Sequence, residues 1–269
     1  MKEMILADRM KFYENFNKQY LAPNQYVLMR LDGKNFSKFT KTYFKKPFDI
    51  DFINMMQDTA KYLFSNISGC CAAYVQSDEI TLLLTDMKSQ GMEGWFNYRV
   101  DKMCSIAAGL ATSIFNKLLY MLMLNRIQFE YDELPEFDLY EISDKISNMP
   151  MPVFDCRVWN VPNSNEVKNV FLWRQRDCIR NSILQYGQSF FTHNELMNKN
   201  ITEIEEMIKN KFQDETKWWE NLDNVVKYGT FIFKSKNENT NRTSYEMVST
   251  LIHDVNNNFE KIFNDIFKY

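Results

Sequence analysis

The chain has 269 residues, a formal net charge of −3 and 45% hydrophobic residues. That is enough apolar content for a sizeable core, so a folded chain is expected over most of the length. The near-neutral balance excludes a generally basic surface for nucleic acid, so a polyanion must be held by a local basic patch or through metal. Aromatics make up 15%, with 22 Phe and 14 Tyr, and read mainly as a Phe-rich core rather than as base-stacking groups. The five cysteines (Cys70, Cys71, Cys104, Cys156, Cys178) have no CxxC spacing. The N-terminus carries Lys2, Glu3, Asp8 and Arg9 and does not read as a secretory leader, so reduced thiols in the cytoplasm are expected.

In chain order, residues 8–19 read as a short amphipathic helix. Tyr26 to Leu31 is a strand broken by Gly33, and Lys34 to Pro47 a basic loop. From Asp49 to Asn66 the apolar positions Phe52, Ile53, Met56, Ala60, Leu63 and Phe64 recur at helical spacing, and Ser68-Gly69 ends that helix. Ala72 to Val75 and Ile80 to Leu84 form a hairpin around Gln76-Ser77-Asp78-Glu79. Met92 to Leu124 is a long, largely apolar helical pattern. Its apolar run Leu118 to Leu124 is too short to cross a bilayer, and no membrane partner is expected. Residues 125–150 are acidic and irregular, and Val153 to Val161 is a further strand ended by Pro162.

The order β, α, β, β, α, β predicts an α+β chain whose residues 1–162 form a ferredoxin-like, split βαβ arrangement, the core of many polymerase palms. Helical patterns at 165–186 and 201–211 and a strand from Val225 to Phe233 would complete the catalytic body over 163–235. Residues 236–269 read as a separate unit. A polar linker from Lys234 to Arg242 leads to an amphipathic terminal helix, with Val248, Leu251, Ile252, Val255, Phe259, Ile262, Phe263, Ile266 and Phe267 on one face for the body or a partner subunit.

Asp32 ends the first strand, and Asp78 and Glu79 lie in the hairpin. In a palm of this order strands one and three are neighbours, which brings three carboxylates within reach of a common point. The chain has only two histidines to help neutralise them. The fitting partner is a pair of hard divalent cations, and the chemistry they suit is nucleotidyl transfer. Gly33 would let a backbone carbonyl approach a cation or phosphate, and Lys34, Asn35 and the amides that follow could cradle a triphosphate. Either motif alone is an ordinary turn; their pairing at neighbouring strand ends points to a site. Arg99 and Lys102 are three apart on the long helix and share a face. They read equally as phosphate contacts and as a solvated stripe with snorkelling stems, as do Lys45 and Lys46 before Pro47. Trp173 reads as core, and Arg174 and Arg176 as contacts to phosphate or to an acidic neighbour. His193 and His253 are too isolated to be ligands.

The ordered set Arg30-Leu31-Asp32-Gly33-Lys34-Asn35-Phe36, Lys46-Pro47, Gln76-Ser77-Asp78-Glu79, Arg99, Lys102, Phe154-Asp155-Cys156-Arg157, Trp173-Arg174-Gln175 and Asp177-Cys178 resembles the tRNA-His guanylyltransferase family and its tRNA-repair relatives. The resemblance implies a polymerase-type palm used in reverse, adding nucleotides to the 5′ end of RNA. A 5′-monophosphate is first activated with ATP or GTP, and the 3′-hydroxyl of an incoming NTP then attacks the activated end. It implies Asp32, Asp78 and Glu79 as catalytic residues. Two magnesium ions would be held by Asp32 and Asp78, with the Gly33 carbonyl as a further ligand and Glu79 in support. It implies a nucleotide site of Asp32, Gly33, Lys34, Asn35, Phe36, Ser37, Ser77 and Asp78, with Lys46, Arg99 and Lys102 on the triphosphate. The implied partners are tRNA, ATP, GTP and other NTPs, in a homotetramer.

This chain departs from the guanylyltransferases at Ser37, where they carry His, and at Ile179-Arg180-Asn181-Ser182, where they carry His-Ile-Asn-Asn; Phe48, where Asn is frequent, is a smaller departure. The first two favour the like-protein branch, which resembles a template-directed 5′-end repair polymerase. The alternatives are a tRNA-His guanylyltransferase proper, a palm-type nucleotide cyclase or oligonucleotide synthase, and a non-catalytic RNA- or nucleotide-binding protein.

Overall fold

The computed structural model describes residues 5–86, 93–131, 148–212, 217–236 and 243–252. In chain order the elements are α1 (Leu6–Asn15), β1 (Tyr26–Gly33), α2 (Phe36–Tyr43), α3 (Ile50–Asn66), β2 (Cys70–Gln76), β3 (Glu79–Leu84), a 3₁₀ turn (Trp95–Tyr98), α4 (Val100–Tyr131), β4 (Phe154–Val161), α5 (Ser164–Gln188), α6 (His193–Leu196), α7 (Ile201–Phe212), α8 (Lys217–Glu220), α9 (Asn224–Tyr228), β5 (Thr230–Lys236) and β6 (Thr243–Val248). The fold is α+β. One sheet runs β4-β1-β3-β2-β5-β6, with each neighbouring pair antiparallel. In its first four strands, each helical crossover joins two parallel strands with an antiparallel strand between them, which is a split βαβ topology.

Strand alternation sorts the side chains onto two faces. Val27, Met29 and Leu31 of β1 and Ile80, Leu82 and Leu84 of β3 pack with α2, α3 and α4. Leu28 and Leu83 point the other way, against Val167 and Phe171 of α5. The same alternation puts Arg30, Asp32, Glu79, Thr81, Asp155 and Arg157 on the α5 face, at the end where β1 finishes. Asp49 caps α3, its carboxylate accepting from the amides of Asp51 and Phe52.

Several elements differ from the sequence expectation. Lys34 to Pro47 is a loop only at its two ends, with a helix from Phe36 to Tyr43 between them. Phe36, Phe39 and Thr40 fall on one helical face and are buried, so the segment winds as α2 despite its lysines. The long helix begins at Val100, not at residue 92, because Phe96, Asn97 and Tyr98 have φ of 49°, 50° and 62°, which a right-handed helix cannot contain. Between Val225 and Phe233 the chain is helical to Tyr228 and extended from Thr230, with the change at Gly229 (φ 68°). A Cβ there would stand 2.6 Å from the Tyr74 hydroxyl and the Val75 carbonyl. Lys234 to Lys236 belong to β5 and Val248 to β6, opposite Phe231, where a linker and a helix were expected. Residues 237–242 of that linker and 253–269 of that helix, with His253, lie outside the described residues, as do 132–147 of the acidic segment.

α1 is not amphipathic in its packing. It has no buried residue and exposes Leu6, Met10, Phe12 and Tyr13. The stretch Val100–Arg126, unlike the short run within it, is long and apolar enough to cross a membrane by length and composition, with mean hydropathy 1.4. Met103, Ala107, Ala111, Phe115 and Leu119 nevertheless bury one face of it against the sheet, while Ile106, Tyr120 and Met121 leave an apolar outer face exposed.

Candidate active site

β1 delivers Asp32 between Glu79 on β3 and Asp155 on β4, directly opposite both. The Gly33 amide donates to the Asp78 carbonyl at 3.1 Å and fastens the strand end to the hairpin tip. Ser77 makes the tight turn with φ 46°, leaving Asp78 at its apex beside Gly33. Gly33 has no room for a side chain, since a Cβ would lie 2.4 Å from the Phe36 ring. The Lys34 amide donates to the Val153 carbonyl at 2.9 Å, and the chain then turns into α2 through Asn35 in the left-handed region (φ 59°), whose side chain does not cap the helix.

Burial pushes the Asp78 carboxyl up to about 6, and the nearby Asp32 and Glu79 push in the same direction. Burial, then Asp155, raises Asp32, opposed by Arg30, Arg157 and Arg174. The donors at Asp32, Asp78 and the adjoining backbone are oxygens, and the local charge is negative. That suits a hard divalent cation, which needs only one or two carboxylates when water and substrate phosphate complete its shell. Among the described residues no group of three His, Cys, Asp or Glu side chains gathers as a metal cluster.

Glu79 behaves differently. Its carboxylate is bound by Arg174 at 2.7 Å, faces Arg30 at 3.8 Å, and accepts from Gln76 at 3.2 Å and Thr81 at 3.4 Å. Burial still holds its pKa above the ordinary value, against the pull of Arg174 and Arg30. The expected convergence of three carboxylates is therefore two carboxylates and one buried ion pair. Arg174 meets an acidic neighbour, Glu79, while also reaching Asp177 at 3.4 Å.

Lys34, Asn35, Ser37 and Ser77 are exposed around the same strand end. Lys46 joins them. Its Nζ donates to Thr40 Oγ1 at 2.8 Å; burial lowers its pKa, partly offset by Asp78. Phe36 does not line the site; it is buried against Phe39, Phe52, Phe115 and Phe154, with ring centroids 5.0–6.3 Å away. Arg99 and Lys102 are not brought to the carboxylates either. Arg99 precedes α4 and makes two 2.7 Å bonds to Asp101, and Lys102 lies 5.9 Å from the Phe96 ring. The adjoining Tyr98 and Met103 line a cavity with Val27 and Leu84, at the other end of β1 and β3. Five residues of strand, about 17 Å, separate Val27 from Asp32.

Sequence reasoning gave no site role to Asp155, whose place opposite Asp32 depends on register, and it put Trp173 in the core. Trp173 is 52% exposed, with the Arg174 guanidinium carbon 3.8 Å from its ring centroid. Gln175 is a structural tie: it is buried, donates to the carbonyls of Tyr228 and Thr250, and accepts from the Ile252 amide.

Residues 7–162 match the family described as tRNAHis guanylyltransferase. The chain belongs to this family. Its members are nucleotidyltransferases. An uncharacterized protein of Acanthamoeba polyphaga mimivirus is 29% identical over 238 residues, 85% of this chain and 77% of its own length. The tRNA(His) guanylyltransferase of Debaryomyces hansenii is 28% identical over 187 residues, 68% of this chain but 61% of the yeast protein. Among solved structures, a bacterial tRNA(His) guanylyltransferase-like protein in complex with ATP is 29% identical, with a TM-score of 0.77 over 96% of this chain and 98% of the bacterial one. A bacterial like-protein in complex with GTP gives 28% and 0.70 over 97% and 99%.

Replacing Arg174 with Met strands the Glu79 carboxylate in a buried place and is expected to cost about 3–5 kcal/mol in urea unfolding, with Glu79→Gln in the same chain restoring part of the loss. An unchanged unfolding midpoint in the single variant would contradict the ion pair. Asp78 gives a pH-dependent counterpart. Its folded pKa of about 6 lies above the ordinary 3.8, so the folded state binds the proton more tightly. Ionised Asp78 thus destabilises the fold above about pH 6, a cost that disappears as pH falls toward about 4. In cation-free buffer Asp78→Asn should raise the Tm at neutral pH and lose that advantage at about pH 4; a pH-independent difference would contradict this.

Proposed function

We propose that the chain is a magnesium-dependent 3′–5′ nucleotidyltransferase with a ferredoxin-like, polymerase-type palm, adding NTPs opposite a template base at the 5′ end of a tRNA or tRNA-like RNA. The observation that carries this reading is the pairing of Asp32 with Asp78 at the junction of β1 and the β2–β3 turn, next to the uncapped N-terminus of α2. The similarity to bacterial like-proteins seen in complex with ATP and with GTP supports it.

Asp32, Asp78 and the Gly33 carbonyl would hold two magnesium ions, which when bound lower the pKa of an attacking hydroxyl and neutralise charge on phosphate. The first amides of α2 with Lys34 and Lys46 supply hydrogen bonds and charge for a triphosphate, as helix N-termini do. Ser37 and Ser77 add hydroxyls at the rim. In the activation step a 5′-phosphate oxygen of the RNA bonds to the α-phosphorus of ATP or GTP and pyrophosphate leaves. In the transfer step the 3′-hydroxyl oxygen of the incoming NTP bonds to the activated 5′ phosphorus, the nucleoside monophosphate leaves and the hydroxyl proton is released.

Templated 5′-end repair is favoured over guanosine addition to tRNA-His by residues 179–182. Asn181 donates to Asp177 at 3.3 Å, and Ser182 is buried, donating to the carbonyls of Cys178 and Val226. These side chains hold α5 and its packing against α9, and offer no imidazole to a substrate. The exposed outer face of α4 and the unpacked α1 support a homo-oligomer, with a tetramer as the assembly the family likeness suggests.

Asp32→Ala and Asp78→Ala should each abolish NTP incorporation into 5′-truncated tRNA while leaving the circular dichroism spectrum unchanged. Full activity in either would remove the metal assignment. With wild-type enzyme the nucleotide added should follow the opposing base; G addition regardless of that base would return the protein to the guanylyltransferase branch. Sedimentation velocity tests the assembly: Ile106→Glu with Met121→Glu should shift the chain toward monomer, and an unshifted coefficient would reject α4 as the interface.

A further inference from the structure

We infer that Trp173 is a stacking platform for the terminal base of the acceptor RNA. This deepens the reading above and rests on it for the identity of the substrate. Of the five tryptophans, Trp173 alone is exposed. Its orientation is set from beneath. The Arg174 guanidinium carbon lies 3.8 Å from the ring centroid and that of Arg30 5.7 Å. Arg174 is itself buried and held by Glu79 at 2.7 Å and Asp177 at 3.4 Å. A ring stacked on a fixed cation at that distance and still 52% exposed presents its other face to solvent. A flat aromatic face held in place in this way stacks a base with little ordering cost.

Its position selects the ligand. Lys46 and α2, which supply the groups suited to a triphosphate, stand on the side of the sheet that packs α3 and α4. Trp173 stands on the α5 side, beside Arg30 and Arg174, two of the three arginines whose charges act on Asp32. Asp32 and Asp78 lie between. A nucleotide anchored by its phosphates at α2 takes up the α3 and α4 side of the carboxylates and leaves the α5 side, with Trp173, open. The molecule that reaches the same carboxylates from the α5 side is the RNA strand bearing the 5′ phosphate, and its terminal base falls on the indole. Arg157, on the same face with a side chain 57% exposed and a 3.6 Å contact to Asp155, is available for the backbone of that strand.

The competing role is a lid over the Glu79–Arg174 pair, and Trp173→Leu separates the two by keeping apolar cover while removing the flat face. Trp173→Leu and Trp173→Ala are expected to raise the KM for a 5′-phosphorylated RNA stem about ten-fold or more, the size of one lost base–aromatic stack. The KM for NTP should stay within about two-fold, and Trp173→Phe should recover most of the RNA affinity. An unchanged RNA KM in Trp173→Ala overturns the inference. So does a change in the NTP KM instead, or a loss confined to kcat and Tm that Trp173→Leu repairs. Direct binding of the same stem, read by fluorescence anisotropy without turnover, keeps the two proposals apart. If the wild-type chain adds no nucleotide but binds the stem about ten-fold more tightly than Trp173→Ala, the platform stands and the catalytic reading falls. If wild-type turns over and the two bind equally, the platform falls alone.

Discussion

Asp32, Glu79 and Asp155 stand side by side on three adjacent strands, and that crowding of negative charge organises the end of the sheet. Cross-strand like charges repel at this spacing, and burial on the α5 side adds a desolvation penalty to the ionised carboxylates of Asp32 and Glu79. The chain relieves the strain unevenly. Glu79 receives an arginine at hydrogen-bonding distance and a second at 3.8 Å. Asp155 sits on the edge strand, open to water and to Arg157. Asp32 and Asp78 are left with carboxyl groups raised above their ordinary values. A group kept costly in this way is a candidate for ligand binding, because a cation recovers what folding did not.

α5 makes that arrangement possible. Its Val167 and Phe171 enter the apolar layer under the sheet, which fixes the helix axis, and one turn later Arg174 reaches Glu79 from the same face. The same buried face of the helix is bound to the rest of the chain through polar side chains: Gln175 to Tyr228, Thr250 and Ile252, and Ser182 to Val226. Gln175 and Ser182 are thus matched to backbone partners, as buried polar side chains generally are. The C-terminal strands β5 and β6 extend the same sheet, and Phe231 and Phe233 of β5 join Val167 and Phe171 in the apolar layer that seats the helix.

The elements nearest the chemistry were the most legible in the sequence. β1 and the β2–β3 hairpin are short apolar runs bounded by Gly33, Ser68-Gly69 and Ser77-Asp78, where local turn chemistry sets the boundaries. α2 was hidden because its lysines mask a two-residue apolar face that acquires meaning only against Phe115 and Phe154. The start of α4 was misplaced because Phe96, Asn97 and Tyr98 are left-handed without a glycine among them to announce it, whereas the triphosphate role of Arg99 and Lys102 came from the family resemblance, and the structure holds both near the other end of β1. Asp155, Arg174 and Trp173 depend on strand register and on which turn of α5 passes over β1, both long-range properties that local periodicity does not encode. The resemblance to guanylyltransferases carried the functional argument further than the residues alone, yet it gave Glu79 and Phe36 roles that burial assigns to an ion pair and to the core.

The location of the acids also bears on how two substrates could share them. A carboxylate in the middle of a strand is accessible from one face of a sheet only. Asp32 is the penultimate residue of β1 and Asp78 is at the apex of a two-residue turn, so both stand at the end of the sheet rather than within it. One face at that edge is closed by α2, with its free amides and Lys46, and the other by α5, with Trp173 over its arginines. A transfer reaction in which a triphosphate and an RNA end must both reach the same pair of carboxylates needs two separate approaches to them. A sheet edge flanked by chemically different helices supplies both approaches without a change in the sheet itself.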